Sequence, residues 1–187
     1  MKKAILAATI ISAAMATPAW AQEGQWEASV AGNMTATSTK VGTSTSESTS
    51  TFMYFRLGEY VTPETVVYGT MSMFGTSSGG GTTSNVGTTF GFGAKYYMDA
   101  AVKSSFVPFV EGELHAVVIT SDTPTTAATT TSGGGMSFGI GGSYFITEAV
   151  SADLSFQAFS DSLTTDTSSV SFTQSGVRML FGMTARY

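Results

Sequence analysis

With no cysteine and one histidine among 187 residues, the chain lacks disulfides and the thiolate and imidazole sets that hold zinc, and no metal or cofactor site is expected. Its formal charge of −5 at pH 7 argues against nucleic-acid binding. Charged residues are only 11% of the chain, against about 25% in an ordinary soluble domain, and Ser, Thr and Gly stand in their place. A surface so poor in interspersed charge is ill suited to water, so much of the exterior is expected to meet another medium.

The first 21 residues read as an export signal. Lys2 and Lys3 precede an apolar run from Ala4 to Ala14, and Ala19-Trp20-Ala21 supplies small residues for cleavage after Ala21. Loss of the two lysines takes the formal charge from −5 to −7. The run is far shorter than the ~20 apolar residues of a membrane helix, and no later stretch reaches that length. Residues 22–187, about 165 in all, suit one domain.

Beyond the signal the chain alternates with a period of two, the mark of strands with two unlike faces. Strand 1 sets Trp26, Ala28, Val30 and Met34 against Glu27, Ser29 and Asn33; strand 2 sets Met53, Phe55 and Leu57 against Tyr54, Arg56 and Gly58. In strand 3, Val67, Met71 and Met73 oppose Thr70 and Ser72. In strand 4, Phe90, Phe92, Ala94, Tyr96 and Met98 oppose Thr89, Gly91, Gly93, Lys95 and Tyr97. Strand 5 places Val110, Leu114, Ala116 and Val118 opposite Glu111, Glu113 and His115. Strand 6 places Met136, Phe138, Ile140, Gly142 and Tyr144 opposite Ser137, Gly139, Gly141 and Ser143. Strand 7 divides Val150, Ala152, Leu154, Phe156 and Ala158 from Ser151, Asp153, Ser155 and Gln157. Strand 8 divides Val177, Met179, Phe181, Met183, Ala185 and Tyr187 from Gly176, Arg178, Gly182, Thr184 and Arg186.

Short turns are predicted at Val61 to Thr65, Asp99 to Ser105 and Thr147 to Ala149. Four segments dominated by Ser, Thr and Gly, namely Thr35 to Ser50, Gly75 to Thr88, Thr120 to Gly134 and Ser160 to Ser171, are expected as mobile solvated loops. Eight strands joined alternately by short turns and long loops match an outer-membrane barrel, with both termini on the short-turn side. A weak internal echo, Tyr60-Val61-Thr62-Pro63-Glu64 against Phe145-Ile146-Thr147-Glu148, opens two of the tight turns.

Alternation alone leaves open whether the apolar face looks outward to lipid or inward to a ligand cavity, as in lipocalins, whose short G-x-W pattern Gly24-Gln25-Trp26 matches. Outward is favoured by three features. Trp26, Tyr60, Tyr96, Tyr97, Tyr144 and Tyr187 fall at the short-turn ends, where an interfacial aromatic girdle belongs. The opposite faces carry Gly, Ser, Thr and mid-strand charges, a suitable filling for the narrow interior of eight strands. Finally, the last strand stops at an aromatic residue, Tyr187, and closure satisfies every backbone group in lipid.

The chain resembles the small eight-stranded outer-membrane barrels that include the OmpA transmembrane domain, OmpX and the opacity proteins. The likeness spans residues 22–187. It is carried by Val107-Pro108-Phe109-Val110-Glu111-Gly112, by Tyr144-Phe145-Ile146-Thr147-Glu148 with Val150-Ser151-Ala152-Asp153-Leu154, and by Phe181-Gly182-Met183-Thr184-Ala185-Arg186-Tyr187. Phe is commoner than Tyr at the family's last position. The resemblance implies a monomer in the outer membrane among lipid and lipopolysaccharide, delivered by periplasmic chaperones to the barrel assembly machinery through Phe181, Met183 and Tyr187. No peptidoglycan-binding domain is expected after strand 8. Family members use their loops on host or environmental surfaces, so such a surface is an expected partner.

Glu27, Arg56, Lys95, Glu111, Glu113, His115, Asp153 and Arg178 are predicted to share the lumen. Burying an unpaired ion there is costly, so these groups must pair or keep water. They make either a packed polar plug or a narrow gate whose ion pairs exchange to pass solutes. Gly91-Phe92-Gly93 and Gly139-Ile140-Gly141-Gly142 lie in strands, are not nucleotide loops, and are expected to relieve interior crowding so that rings such as Tyr54 and Tyr97 fold across the lumen. Outer-membrane lipid A deacylases use a lipid-facing His-Ser pair. His115 is predicted inward with Val117 two positions on, so no enzyme is expected. The expected function is a structural or surface-interaction barrel, with a narrow passive channel as the main alternative and a lipid-modifying enzyme or soluble lipocalin-like binder behind it.

Overall fold

A computed structural model describes residues 23–41, 44–78, 83–98, 105–123, 126–166 and 171–187. The predicted signal segment, residues 1–21, and its cleavage point lie outside the described residues. Eight strands follow one another around a closed antiparallel barrel: β1 (Trp26–Val41), β2 (Ser44–Thr62), β3 (Thr65–Ser78), β4 (Thr83–Tyr97), β5 (Phe106–Thr123), β6 (Thr126–Phe145), β7 (Val150–Thr165) and β8 (Ser171–Arg186).

Alternation decides which side chains face out. Phe138 is 61% exposed, and Phe90, Phe92, Met136, Ile140, Phe156 and Phe181 stand with it on the outer wall. Glu27, Arg56, Lys95, Glu111 and Glu113 are buried inside. A soluble lipocalin-type barrel has the reverse arrangement. The Gly24-Gln25-Trp26 match has a local cause: Gly24 adopts φ +86°, open to a residue without Cβ, and its N–H donates to Tyr60 O at 2.8 Å as the chain bends into β1.

The four segments expected as mobile loops are a correction. Every described residue within them except Asp166 is strand, and β1 pairs with β2 out to Val41 and Ser44. Residues 42–43, 79–82, 124–125 and 167–170 lie outside the described set. Low apolar content marks a loop only where a strand must bury a face to exist. Here the two strands of each hairpin stay paired with one another, so the backbone groups facing the hairpin partner are satisfied, and β-branched Thr favours extended backbone. The strands are 14 to 20 residues long, well over the ~9–11 that cross a bilayer, so the hairpins continue past any apolar band.

The two echoing turns share a device. Thr62 Oγ1 accepts the N–H of Glu64 at 3.3 Å and of Thr65 at 3.1 Å; Thr147 Oγ1 accepts those of Ala149 at 3.2 Å and Val150 at 3.0 Å. A hydroxyl satisfying two turn amides fixes each bend. The residue two before each threonine, Tyr60 and Phe145, then points into the barrel, where the two rings meet the same cluster.

Candidate functional site in the barrel lumen

The lumen is filled in three storeys. At the short-turn end, Tyr60, Val66, Tyr68, Tyr97, Val107 and Phe109 form an apolar cluster with Phe145 against it. Glu27 sits inside this cluster with no exposed surface. Its Oε1 lies 3.2 Å from Lys95 Nζ, and its Oε2 accepts the hydroxyls of Tyr97 at 2.6 Å and Tyr60 at 2.9 Å, with Arg186 Nε 3.9 Å away. Lys95 also lies 3.8 Å from Asp153, which accepts Ser151 at 2.8 Å and the Thr184 hydroxyl. The Arg186 guanidinium covers the Phe145 ring at 4.3 Å and Tyr97 at 4.8 Å. Aromatic faces thus hold the cations that the carboxylates neutralise.

Halfway up, Arg56 pairs with Glu111 at 2.6 Å and stands over the Tyr68 ring at 3.9 Å. Gln157 donates to Glu111 at 2.5 Å and accepts from Arg178 Nε at 2.8 Å, while the Tyr54 hydroxyl binds Glu113. A cavity of about 20 Å³ lies among Arg56, Lys95, Glu111, Asp153 and Gln157, room for about one water. Above it His115 stands between two acids, Nε2 2.8 Å from Asp161 Oδ1 and Nδ1 3.3 Å from Glu113 Oε1. The upper storey opens into a vestibule of about 260 Å³ ringed by Phe52, Phe74 and Phe159.

All eight residues of the expected charge cluster therefore lie on the inner face, in two connected groups with His115 over the second. Two of the expected girdle residues are corrections. Tyr60 is 1% exposed and Tyr97 fully enclosed; they stack inside the barrel at 6.2 Å with planes 14° apart. Their strand-end location suggested a girdle, but parity governs direction: Tyr60 shares a face with Tyr54 and Arg56, Tyr97 with Lys95. Trp26, Tyr96, Tyr144 and Tyr187 are exposed on the outer wall, as are Phe181 and Met183.

Sequence reasoning missed Asp161, hidden in a segment read as loop, and Arg186, which alternation put inward but which was left out of the cluster. It also missed the inward apolar set Val66, Val107, Phe109, Val117 and Leu180. These positions carry no periodic signal, because apolar residues occupy both faces of their strands.

Glycine makes the storeys fit. A Cβ on Gly93 would lie 2.8 Å from the Tyr68 ring and 2.2 Å from Gly112 O. Gly93→Val is accordingly expected to lower the unfolding free energy by about 1–3 kcal/mol through overpacking, read from urea-induced unfolding in lipid; an unchanged midpoint would show that both the ring and the backbone at Gly112 have room to move.

A closed barrel with its apolar side chains outside and its ionic ones enclosed is a transmembrane β-barrel. Its fold is that of the small eight-stranded outer-membrane barrels. Neisserial surface protein A matches with a TM-score of 0.60 at 15% identity, over 88% of this chain and 97% of that one. The N-terminal barrel domain of Pseudomonas aeruginosa OprF matches at 0.59 and 13%, over 88% and 98%. Ail, the attachment invasion locus protein of Yersinia pestis, matches at 0.52 and 10%, over 89% and 100%. No family model and no curated protein matches the sequence. At these identities the likeness is one of fold.

Proposed function

We propose that residues 22–187 form a monomeric, non-enzymatic barrel of the outer membrane, exported by the first 21 residues, with a structural or surface-interaction role and a lumen sealed to solutes. It contacts lipid and lipopolysaccharide along its outer wall. Phe181, Met183 and Tyr187, outward on the last strand, serve as the signal to the assembly machinery after chaperoned passage. Trp26, Tyr96, Tyr144 and Tyr187 lie at the polar interface, where amphipathic rings are favoured.

The observation that carries the sealed reading is the filled mid-lumen, with the stacked pair Tyr60 and Tyr97 beneath a cavity of about 20 Å³. Refolded protein in planar bilayers is expected to conduct no more than protein-free membrane; a steady large conductance would overturn the seal. The rival narrow channel requires the Arg56 to Glu111 pair to exchange, so neutralising Arg56 together with Arg178 would then change conductance or selectivity.

The surface role is supported by strands that outrun the bilayer and by what the fold neighbours are called: a surface protein and an attachment protein. Ail has been solved with the heparin analogue sucrose octasulfate. The Ser- and Thr-rich hairpin segments here hold one cation at their tips, Lys40, which fits a neutral coat or a hydrogen-bonding partner better than a polyanion. His115 plays no catalytic part in this reading, since its ring is committed to two carboxylates on the lumen side.

A further inference from the structure

The wall of the barrel is not equally closed all round. Between β4 and β5 the register runs over fourteen pairs, Ser84 to Tyr97 against Asp122 to Phe109. Between β6 and β7 it runs over fifteen, Thr131 to Phe145 against Thr165 to Ser151. The ladder that closes the barrel, β1 against β8, has six, Glu27 to Gly32 against Arg186 to Phe181, with Trp26 and Tyr187 exchanging backbone hydrogen bonds below them. Above it each strand keeps its other partner, β1 with β2 to Val41 and β8 with β7 to Ser171, and among the described residues no further pair joins the two. Just above the last pair, Asn33 Nδ2 donates to Met179 O at 3.2 Å.

A tilted strand climbs roughly 2.5 Å per residue, so six pairs end about 15 Å above the short-turn end, inside the ~25 Å apolar band of such barrels. Val177, 74% exposed, and Met179 flank the opening on the outside. Strand edges without partners at this depth are costly in hydrocarbon. Directly behind the seam lies the vestibule of about 260 Å³, bounded by Asn33 on β1 and by Gln174 and Arg178 on β8.

Arg178 differs from the other lumen cations. Arg56, Lys95 and Arg186 each have a carboxylate within 4.0 Å, whereas among the described residues Arg178 has none in that range. Its guanidinium lies 4.5 Å from the Phe52 ring centre and 5.5 Å from that of Phe159. Asp161, the acid lining the same cavity, is taken by His115.

We infer that the vestibule binds an anionic amphiphile of the membrane, a long-chain carboxylate, with its head on Arg178 and its chain leaving through the β1 to β8 seam. With its Nε held by Gln157 at 2.8 Å and no carboxylate beside it among the described residues, the guanidinium offers its remaining N–H groups to a carboxylate. The three phenylalanines take the first methylenes. A dry cavity of about 150 Å³ accepts a benzene ring, so this one holds a head and the carbons next to it. The inference rests on the transmembrane placement and not on the sealed lumen below.

The test uses the refolded chain in zwitterionic lipid nanodiscs with dodecanoic acid bearing a photoreactive diazirine. Adducts are expected on Phe52, Phe159, Gln174 and Val177. Unlabelled dodecanoate should abolish them, while equimolar benzoate and dodecanol should not. Arg178→Gln should cut the yield about tenfold, the loss of one charge-assisted contact, and Arg178→Lys, which keeps the charge without the fork, should give a yield between the two, with unchanged far-ultraviolet circular dichroism for both. Should Arg178→Gln fail to fold, the dodecanol comparison on the native chain decides. Adducts confined to Met136, Phe138 and the rest of the outer belt would overturn the site while leaving the transmembrane placement intact. Equal competition by benzoate would overturn the membrane source, and equal competition by dodecanol would overturn the role of Arg178.

Discussion

Glu27→Ala is expected to lower the unfolding free energy by about 3–5 kcal/mol, the usual cost of leaving a buried ion pair half made. The Glu27 carboxylate is enclosed and answers Lys95, Arg186 and two tyrosine hydroxyls. Without it, the one carboxylate left to Lys95 among the described residues is Asp153 at 3.8 Å, beside the Tyr97 and Phe109 rings, and the hydroxyls of Tyr60 and Tyr97 lose their acceptor where water cannot readily replace it. The wild-type pair need not be strongly stabilising in itself, because desolvation offsets much of its attraction. For that reason the double variant Glu27→Met with Lys95→Met is expected to lose less than Glu27→Ala alone. Urea-induced unfolding in lipid, followed by tryptophan fluorescence, measures both. A loss under about 1 kcal/mol for Glu27→Ala would mean that water reaches the site, and the short-turn seal would fall with it.

The division of this chain into two faces was legible because pleat geometry gives a period that survives any context. The same parity placed Glu27, Arg56, Lys95, Glu111, Glu113 and His115 in one compartment. It failed only where another rule was allowed to override it, as when the strand-end location of Tyr60 and Tyr97 was given more weight than their direction. Composition misled for the hairpins, because a rule learned from water-soluble loops takes scarce apolar residues to mean no structure. A two-stranded hairpin growing from a rigid barrel inherits its register and needs no buried face. Asp161 was lost with that segment. Inward Phe109, Val66 and Leu180 were illegible for a different reason: a filled lumen accepts apolar residues wherever a neighbouring glycine makes room, as Gly141 does for the Phe109 ring. The short β1 to β8 ladder had no local signal at all, since where two distant strands stop pairing is set by the closure of the whole sheet.

Phe138→Arg is expected to cost about 2–4 kcal/mol in a bilayer. The ring stands 61% exposed near the middle of β6, six residues from Tyr144 at the short-turn end, with Gly112 and Ala158 as its cross-strand neighbours. Six residues of tilted strand place it about 15 Å up, near the centre of the ~25 Å apolar band. A guanidinium there must either lose its hydration or draw a water defect down to it. Ile146→Arg supplies the control: Ile146 is equally exposed but sits in the β6 to β7 turn, where the same charge should cost about 0–1 kcal/mol. Folding titrations of the two variants in the same vesicles give the difference directly. On a barrel facing water, both substitutions would be exposed surface changes worth within about ±0.5 kcal/mol, so equal small losses would turn the orientation inside out. A depth-dependent penalty is the signature of lipid, because water charges the same at every height of the wall.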